Sequence, residues 1–321
     1  MIPFKYYLPL KEIKQPKVKK NNRMTIKLVS GHPLFNENMH MMNLKLRIPI
    51  ESKSFDPQPG DLYVVWGAHE IAPMLWATQK NMNNKIGYVI MHSEQLASTH
   101  MSNKYYIRLC QDNPTVNYSQ YLAEQMYEKF DIREYGYFYF DFVPCKPVEL
   151  KKYDIVFVGT RNPMREAFEG LLRAMVPDAR IHFEYDSIDK GPQHLSELYV
   201  QSKIVLNLPF YEGGALETHR INKALACGAI VVSVGSGDPY ANKFYSDYVH
   251  FCEQDTHMLD FLKEKWRTIE PKKTWLQYNQ VLAPSLYSYL NATIVDVHDK
   301  MLTKLGMQPV KVEEGAEEVN I

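Results

Sequence analysis

The run LNLPFYEGGALETHRINKALACGAIVVSV, residues 206–234, decides how this chain is read. An apolar strand ends at Asn207, and a loop carrying Gly213 and Gly214 follows. A helix then spans Glu217 to Cys227, Gly228 stops it, and a purely apolar strand begins. Glu212, Glu217, Arg220, Asn222 and Lys223 are thus gathered at or near the start of a helix that follows a buried strand. In parallel α/β sheets that edge is where ligands bind, because helix N-termini and strand C-termini meet there.

The same alternation extends on both sides. Upstream, YDIVFVGT (153–160) is a strand ending in Gly159, and NPMREAFEGLLRAMVP is a helix with Pro163 in its first turn. Leu171, Leu172 and Met175 are expected on the apolar face of that helix. ARIHFEY, SKIVLNLPF and AIVVSV supply further strands, with PQHLSELYVQS and ETHRINKALACG as the helices between them. A β-α-β order with right-handed crossovers implies a doubly wound parallel sheet.

Nearer the N-terminus, strands are predicted at TIKLVS (25–30), DLYVVWG (61–67), KIGYVIMHS (85–93), YYIRLC (105–110) and VNYS (116–119). Helices are predicted over HEIAPMLWATQKNM and SQYLAEQMYEKFDI. FVPCKPVELKKYD (142–154), with two prolines and clustered lysines, reads as a linker. Four segments follow: a first Rossmann-like domain over 1–148, a second over 149–285, a helix over 286–306 expected to pack back on the first domain, and an acidic tail over 307–321 expected to lack structure. Two such domains imply a cleft between the carboxyl ends of their sheets.

Composition narrows the function. Lys plus Arg and Asp plus Glu balance at 37 each, so an anionic ligand must be held by local groups rather than by a global field. Residues 11–27 are strongly basic, which fits a solvated extension better than a nucleic-acid or membrane arm, and nucleic acid is not the favoured partner. Four widely spaced cysteines form no C-x-x-C pair, arguing against a zinc knuckle or disulfide framework and for a reducing, cytoplasmic setting. No run approaches the ~20 apolar residues that span a bilayer. An Asp-x-Asp metal motif, a phosphate-binding G-x-x-x-x-G-K-[ST] loop, a G-x-S-x-G elbow and an H-E-x-x-H pair are all missing. GSGDPY (235–240) holds only a fragment of a dinucleotide fingerprint.

Two residue sets then carry the chemistry. Arg161 and Arg165 flank the turn after Gly159, where two guanidiniums can grip a diphosphate without a metal; the ordinary alternative pairs Arg165 with Glu169 four residues on. Glu94 follows a buried strand at the mouth of the first domain, where a carboxylate can take a proton from an attacking hydroxyl. The ordinary alternative makes Glu94 a helix cap or the partner of a basic neighbour. His92 is a second candidate base, with a satisfied core histidine as its alternative.

The segments ALACGAIVVS and LE-x-x-RIN resemble the donor-binding region of GT-B glycosyltransferases, most closely the CgeB-like or family 1-like type of bacteria and large DNA viruses. A more distant resemblance is to phage DNA β-glucosyltransferase. VIMHSEQL (89–96), YYIRLCQDNPTVNYSQYL (105–122) and FYFDFVP (138–144) follow the same family's order, so the resemblance covers about 60–290 in pieces. It implies two Rossmann-like domains, a nucleotide-diphosphate sugar (UDP or GDP) as co-substrate with no other cofactor and no metal, and a glycan or other hydroxyl-bearing acceptor. It makes Arg220 a diphosphate or sugar contact and Glu217 a sugar-hydroxyl contact, with Gly159, Asn207, Glu212, Gly213, Gly214 and Asn222 around the donor. Lys223 departs from the pattern, standing where the family carries an acid for the ribose hydroxyls, which an ammonium with donors only cannot replace. The expected reaction is sugar transfer to a hydroxyl, metal-independent and inverting. A sugar-nucleotide epimerase, a DNA-modifying transferase and a non-catalytic nucleotide binder are the rival classes.

Overall fold

The structure, a computed structural model, describes residues 26–46, 48–51, 55–138, 140–187, 190–273, 294–300 and 303. The calls on 1–25 and 307–321 lie outside these residues. Two α/β units follow one another along the chain, each built on a parallel five-stranded sheet.

The first unit runs β1 (Ile26–Ser30), α1 (Asn36–Leu46), β2 (Leu62–Trp66), α2 (Ala68–Asn81), β3 (Gly87–His92), α3 (Lys104–Asp112), β4 (Thr115–Asn117), α4 (Gln120–Phe130) and β5 (Glu134–Tyr137). Its strands lie in chain order, 1-2-3-4-5, so the winding never reverses within this sheet. β2 is buried at every position, which is why it reads as a continuous apolar run rather than an alternating one.

YYIRLC is not a strand; it forms most of α3. Tyr106, Leu109 and Cys110 face the core at helical spacing, and the side chain of Asn103 caps the helix by accepting from Tyr105 N and Tyr106 N. Ile294 and Val297, in a helix over 294–300, join the core of this first unit.

The second unit runs β6 (Tyr153–Gly159), α5 (Pro163–Met175), β7 (Ile181–Tyr185), α6 (Gly191–Val200), β8 (Ser202–Asn207), α7 (Thr218–Ala226), β9 (Ile230–Val234), α8 (Pro239–Tyr245), β10 (Val249–Cys252) and α9 (Asp255–Lys265). The sheet order is β10-β9-β8-β6-β7. Winding therefore reverses between β6 and β8, and a crevice opens where their carboxyl ends diverge. Successive residues of β6 feed opposite faces. Ile155 and Phe157 pack with Phe168, Leu172 and Leu262, while Val156 and Val158 pack with Leu198, Ile221 and Ala224. Leu172 is fully buried in α5, but Leu171, expected beside it, points to solvent. Gly228 (φ +73°) ends α7, in the left-handed conformation that glycine adopts without steric cost. GSGDPY is the turn into α8, whose first helical residues include Pro239 and whose cap is Asp238, accepting from Ala241 N.

The units meet through buried polar contacts as well as apolar ones. Gln95 donates to Ala215 O at 2.8 Å and accepts from Ala215 N at 2.9 Å, pairing with both main-chain groups of that residue. Ser119 Oγ donates to Asp238 at 2.6 Å while capping α4, and Asn222 donates to Phe140 O. Among the described residues no helix is long and apolar enough to cross a membrane. All four cysteines are buried as free thiols.

Candidate functional site

A cleft of about 490 Å3 lies between the two units, at the reversal point of the second sheet. Its second-unit wall is organised by Arg220, one turn into α7. Its Nε donates to Val158 O of β6 (2.9 Å) and Nη1 to Asn207 Oδ1 at the end of β8 (2.6 Å), so one guanidinium bridges the two diverging strands. Glu217 folds back from the helix start: Oε2 pairs with Arg220 (2.7 Å), and Oε1 accepts from Arg165 (3.1 Å) and from Phe210 N (2.6 Å).

Arg165 is 1% exposed. It donates to Thr160 O and Leu208 O and does not pair with Glu169. Burial and the neighbouring Arg220 cation pull its pKa down to about 10, against the pull of Glu217, and it remains charged at neutral pH. Both guanidiniums lie 5.0 Å from the Phe157 ring. Gly159 makes room for them: a Cβ there would meet Arg220 Nη2 at 2.9 Å and Arg165 Nη1 at 3.1 Å. Arg165 is thus the inner member of the pair, braced against backbone carbonyls. Arg161 is the outer one, 57% exposed, near Glu166 and Asp186 and over the Tyr185 ring.

The remaining donor-side candidates are dispersed. Asn207 is held by Arg220 and Ser233. Asn222 is buried and spent on Phe140 O and the Tyr245 hydroxyl. Glu212 and Gly213 are exposed in the loop and do not line the cleft, and Gly214 contacts the Gln95 side of the junction. Lys223 is 1% exposed, its ammonium 2.5 Å from Glu37 Oε2 of α1. Burial works to deprotonate it, but Glu37 outweighs that and holds the ammonium charged above its usual range. The residue that departs from the family pattern therefore ties the two units together.

Glu94 lines the first-unit wall. Its Oε2 accepts from Ser98 Oγ (2.8 Å), and its Oε1 lies 3.3 Å from Nε2 of His69, in the first turn of α2. Neither His69 nor His100, whose ring centroid is 4.5 Å from that of His69, is singled out by the sequence motifs. The signal was there: His69 follows β2 as Glu94 follows β3, at the same sheet edge. Burial, reinforced by His100, lowers the His69 pKa to about 4, so the ring is neutral. His92 does not reach the cleft. It is fully buried, its Nδ1 2.7 Å from the Tyr106 hydroxyl, and burial pushes its pKa down to about 3. It is a core histidine whose Nε2 has no hydrogen-bond partner, so it is only half satisfied.

No protein-family model matches the chain, and no curated protein matches it. Solved structures of similar fold are glycosyltransferases. An α,α-trehalose 6-phosphate synthase from Burkholderia multivorans is 11% identical at TM-score 0.48, covering 78% of this chain and 73% of its own. A glycosyltransferase involved in avilamycin A biosynthesis is 11% identical at TM-score 0.45, covering 88% and 96%. An α1,3-fucosyltransferase is 13% identical at TM-score 0.44, covering 90% and 93%. At these identities and TM-scores the likeness bears on no residue's role.

Proposed function

We propose that the chain transfers a glycosyl group from a nucleotide-diphosphate sugar to an acceptor hydroxyl, with Glu94 as the base and inversion at the sugar carbon. The observation that carries this reading is the pairing of unlike walls across one cleft. A guanidinium cluster stands at the reversal point of the second sheet, and a carboxylate stands opposite, on the loop after β3. The neighbouring Gln95 pins that loop to the segment leading into α7.

In the proposed step the acceptor O–H proton passes to a Glu94 oxygen as the acceptor oxygen bonds to the sugar carbon. The bond from that carbon to the diphosphate oxygen breaks, and its electron pair leaves with the diphosphate. Arg220, which lines the cleft, and Arg161, which stands just outside its lining at the turn after Gly159, are the cations for the charge that develops there, so the leaving group is neutralised by side chains rather than by a metal. Arg165 acts through Arg220 and Glu217 and is a positioning residue. With Lys223 engaged by Glu37, the ribose contact falls to other cleft groups.

The test is a thermal-shift screen with UDP, GDP, TDP and CMP and their sugars, followed by product analysis with hydroxyl acceptors. A ligand at 100 times its Kd stabilises the fold by about 2.7 kcal/mol. Arg220→Ala should remove the shift, and Glu94→Gln should keep it while abolishing transfer. A shift that survives Arg220→Ala refutes the donor site; binding without transfer to any acceptor refutes the catalytic reading.

A further inference from the structure

On the first-unit wall, His69, Glu94 and His100 converge from three elements: the first turn of α2, the loop after β3 and the short 3-10 helix Thr99–Ser102. One ligand atom from each, two imidazole nitrogens and a carboxylate oxygen, lies within 4.8 Å of the others. We propose that these three side chains hold a single divalent transition-metal ion of the Zn2+ class.

Geometry and partnering both support this. A tetrahedral ion with metal–ligand bonds of about 2.0–2.1 Å sets its ligand atoms about 3.3–3.4 Å apart. His69 Nε2 and Glu94 Oε1 are separated by 3.3 Å. His100, 39% exposed, has the freedom to close the third edge. His69 is the second, independent sign: only 6% of it is exposed, and its buried Nδ1 has no hydrogen-bond partner. Its Nε2 lies near two carboxylate oxygens, Glu94 at 3.3 Å and Glu70 at 3.6 Å. With Nδ1 unbonded, the protein holds this buried ring only through the carboxylates facing Nε2, and an ion there would bridge ring and carboxylate.

Other features fit the same ion. Glu94 is oriented by Ser98 Oγ, the kind of outer-shell hydrogen bond that holds a metal-bound carboxylate in place. Glu70, whose Oε1 is also 4.0 Å from His100 Nε2, puts a second carboxylate within reach. Two imidazoles with carboxylate oxygen favour Zn2+ and its transition-metal neighbours over Mg2+ or Ca2+, which take all-oxygen sets. Three protein ligands leave a fourth position open towards the cleft, which Glu94 and His100 line.

The assignment bears on the sugar-transfer reading, because an ion on Glu94 Oε1 leaves Oε2 as the oxygen that can take a proton, and it is tested with the metal alone. Tag-free full-length protein is titrated with Zn2+ against a competing zinc indicator, and with Co2+ by its visible absorption. One equivalent should bind, with the intense Co2+ bands of a four-coordinate site. His100→Ala and Glu94→Gln should each weaken Zn2+ binding by about tenfold or more. His100→Ala should leave the melting temperature of the metal-free protein unchanged, which separates lost ligation from lost folding. No stoichiometric binding overturns the site, and so does an affinity unaltered in both variants. Loss in Glu94→Gln alone overturns the three-ligand assignment.

Discussion

Two cation–carboxylate assemblies share helix α7 and do opposite things. Lys223 and Glu37 form a closed pair: each is nearly inaccessible, and the ammonium is held by a carboxylate from the other unit. Arg165, Glu217 and Arg220 form an open one, in which two guanidiniums share one carboxylate and an excess positive charge remains at the cleft wall. The closed pair fixes where the units sit, and the open set leaves charge for a ligand. Burial and partner count, rather than residue type, separate these roles.

The comparison breaks most visibly at the closed pair. Removing one member of a buried ion pair strands the other charge, so Glu37→Ala or Lys223→Met should cost about 3–5 kcal/mol of unfolding free energy. The double replacement Glu37→Leu with Lys223→Met should recover most of that loss, as a urea double-mutant cycle will show. Single costs near zero would mean that the pair does not hold the units together.

Arg165→Ala should come next, at about 2–3 kcal/mol, because the carbonyls of Thr160 and Leu208 lose their donor while Glu217 keeps Arg220. Equilibrium unfolding measures this directly, and a stability equal to the parent's would move Arg165 out of its bracing role.

Between the two assemblies His219 is boxed by Phe140 at 5.0 Å and Phe142 at 4.8 Å. Burial, then Lys223 and Arg220, lower its pKa from 6.5 to about 3. A depressed histidine contributes stability above its unfolded pKa, and that contribution is lost as pH falls from about 6.5 towards 3. The part due to His219 should be on the order of 1 kcal/mol between pH 6.5 and 5.5. Denaturation at both pH values should show a shallower dependence in His219→Leu; matching slopes would remove His219 from the acid response.

The smallest effect on folding belongs to Arg161→Ala, within about 0.5 kcal/mol of the parent, since its ion pairs are solvated. Its nucleotide affinity should nevertheless fall about tenfold, the equivalent of one charge-assisted hydrogen bond. Calorimetry that finds no change would remove Arg161 from the nucleotide site and leave the open set to hold it.

The second unit was the more legible in the sequence. YDIVFVGT and AIVVSV are buried on both faces, so their apolar runs have no competing reading as amphipathic helices. YYIRLC misled because aromatic and β-branched residues favour strands, while the burial of Tyr106, Leu109 and Cys110 follows the helix period. α1, NENMHMMNLKL, was missed: its core contacts come from Met39, Met41 and Met42, a weak hydrophobic signal. The strand-end rule picked out Glu94, and applied to β2 it would have reached His69. What Lys223 does could not be read, because Glu37 lies 186 positions away and only the fold joins them.

Gln95 meets residue 215 as one strand meets another, donor to acceptor and acceptor to donor. Because both bonds run from one carboxamide to one residue, loss of that side chain removes both at once. The tie between the loop after β3 and the segment leading into α7 is therefore made or lost as one unit.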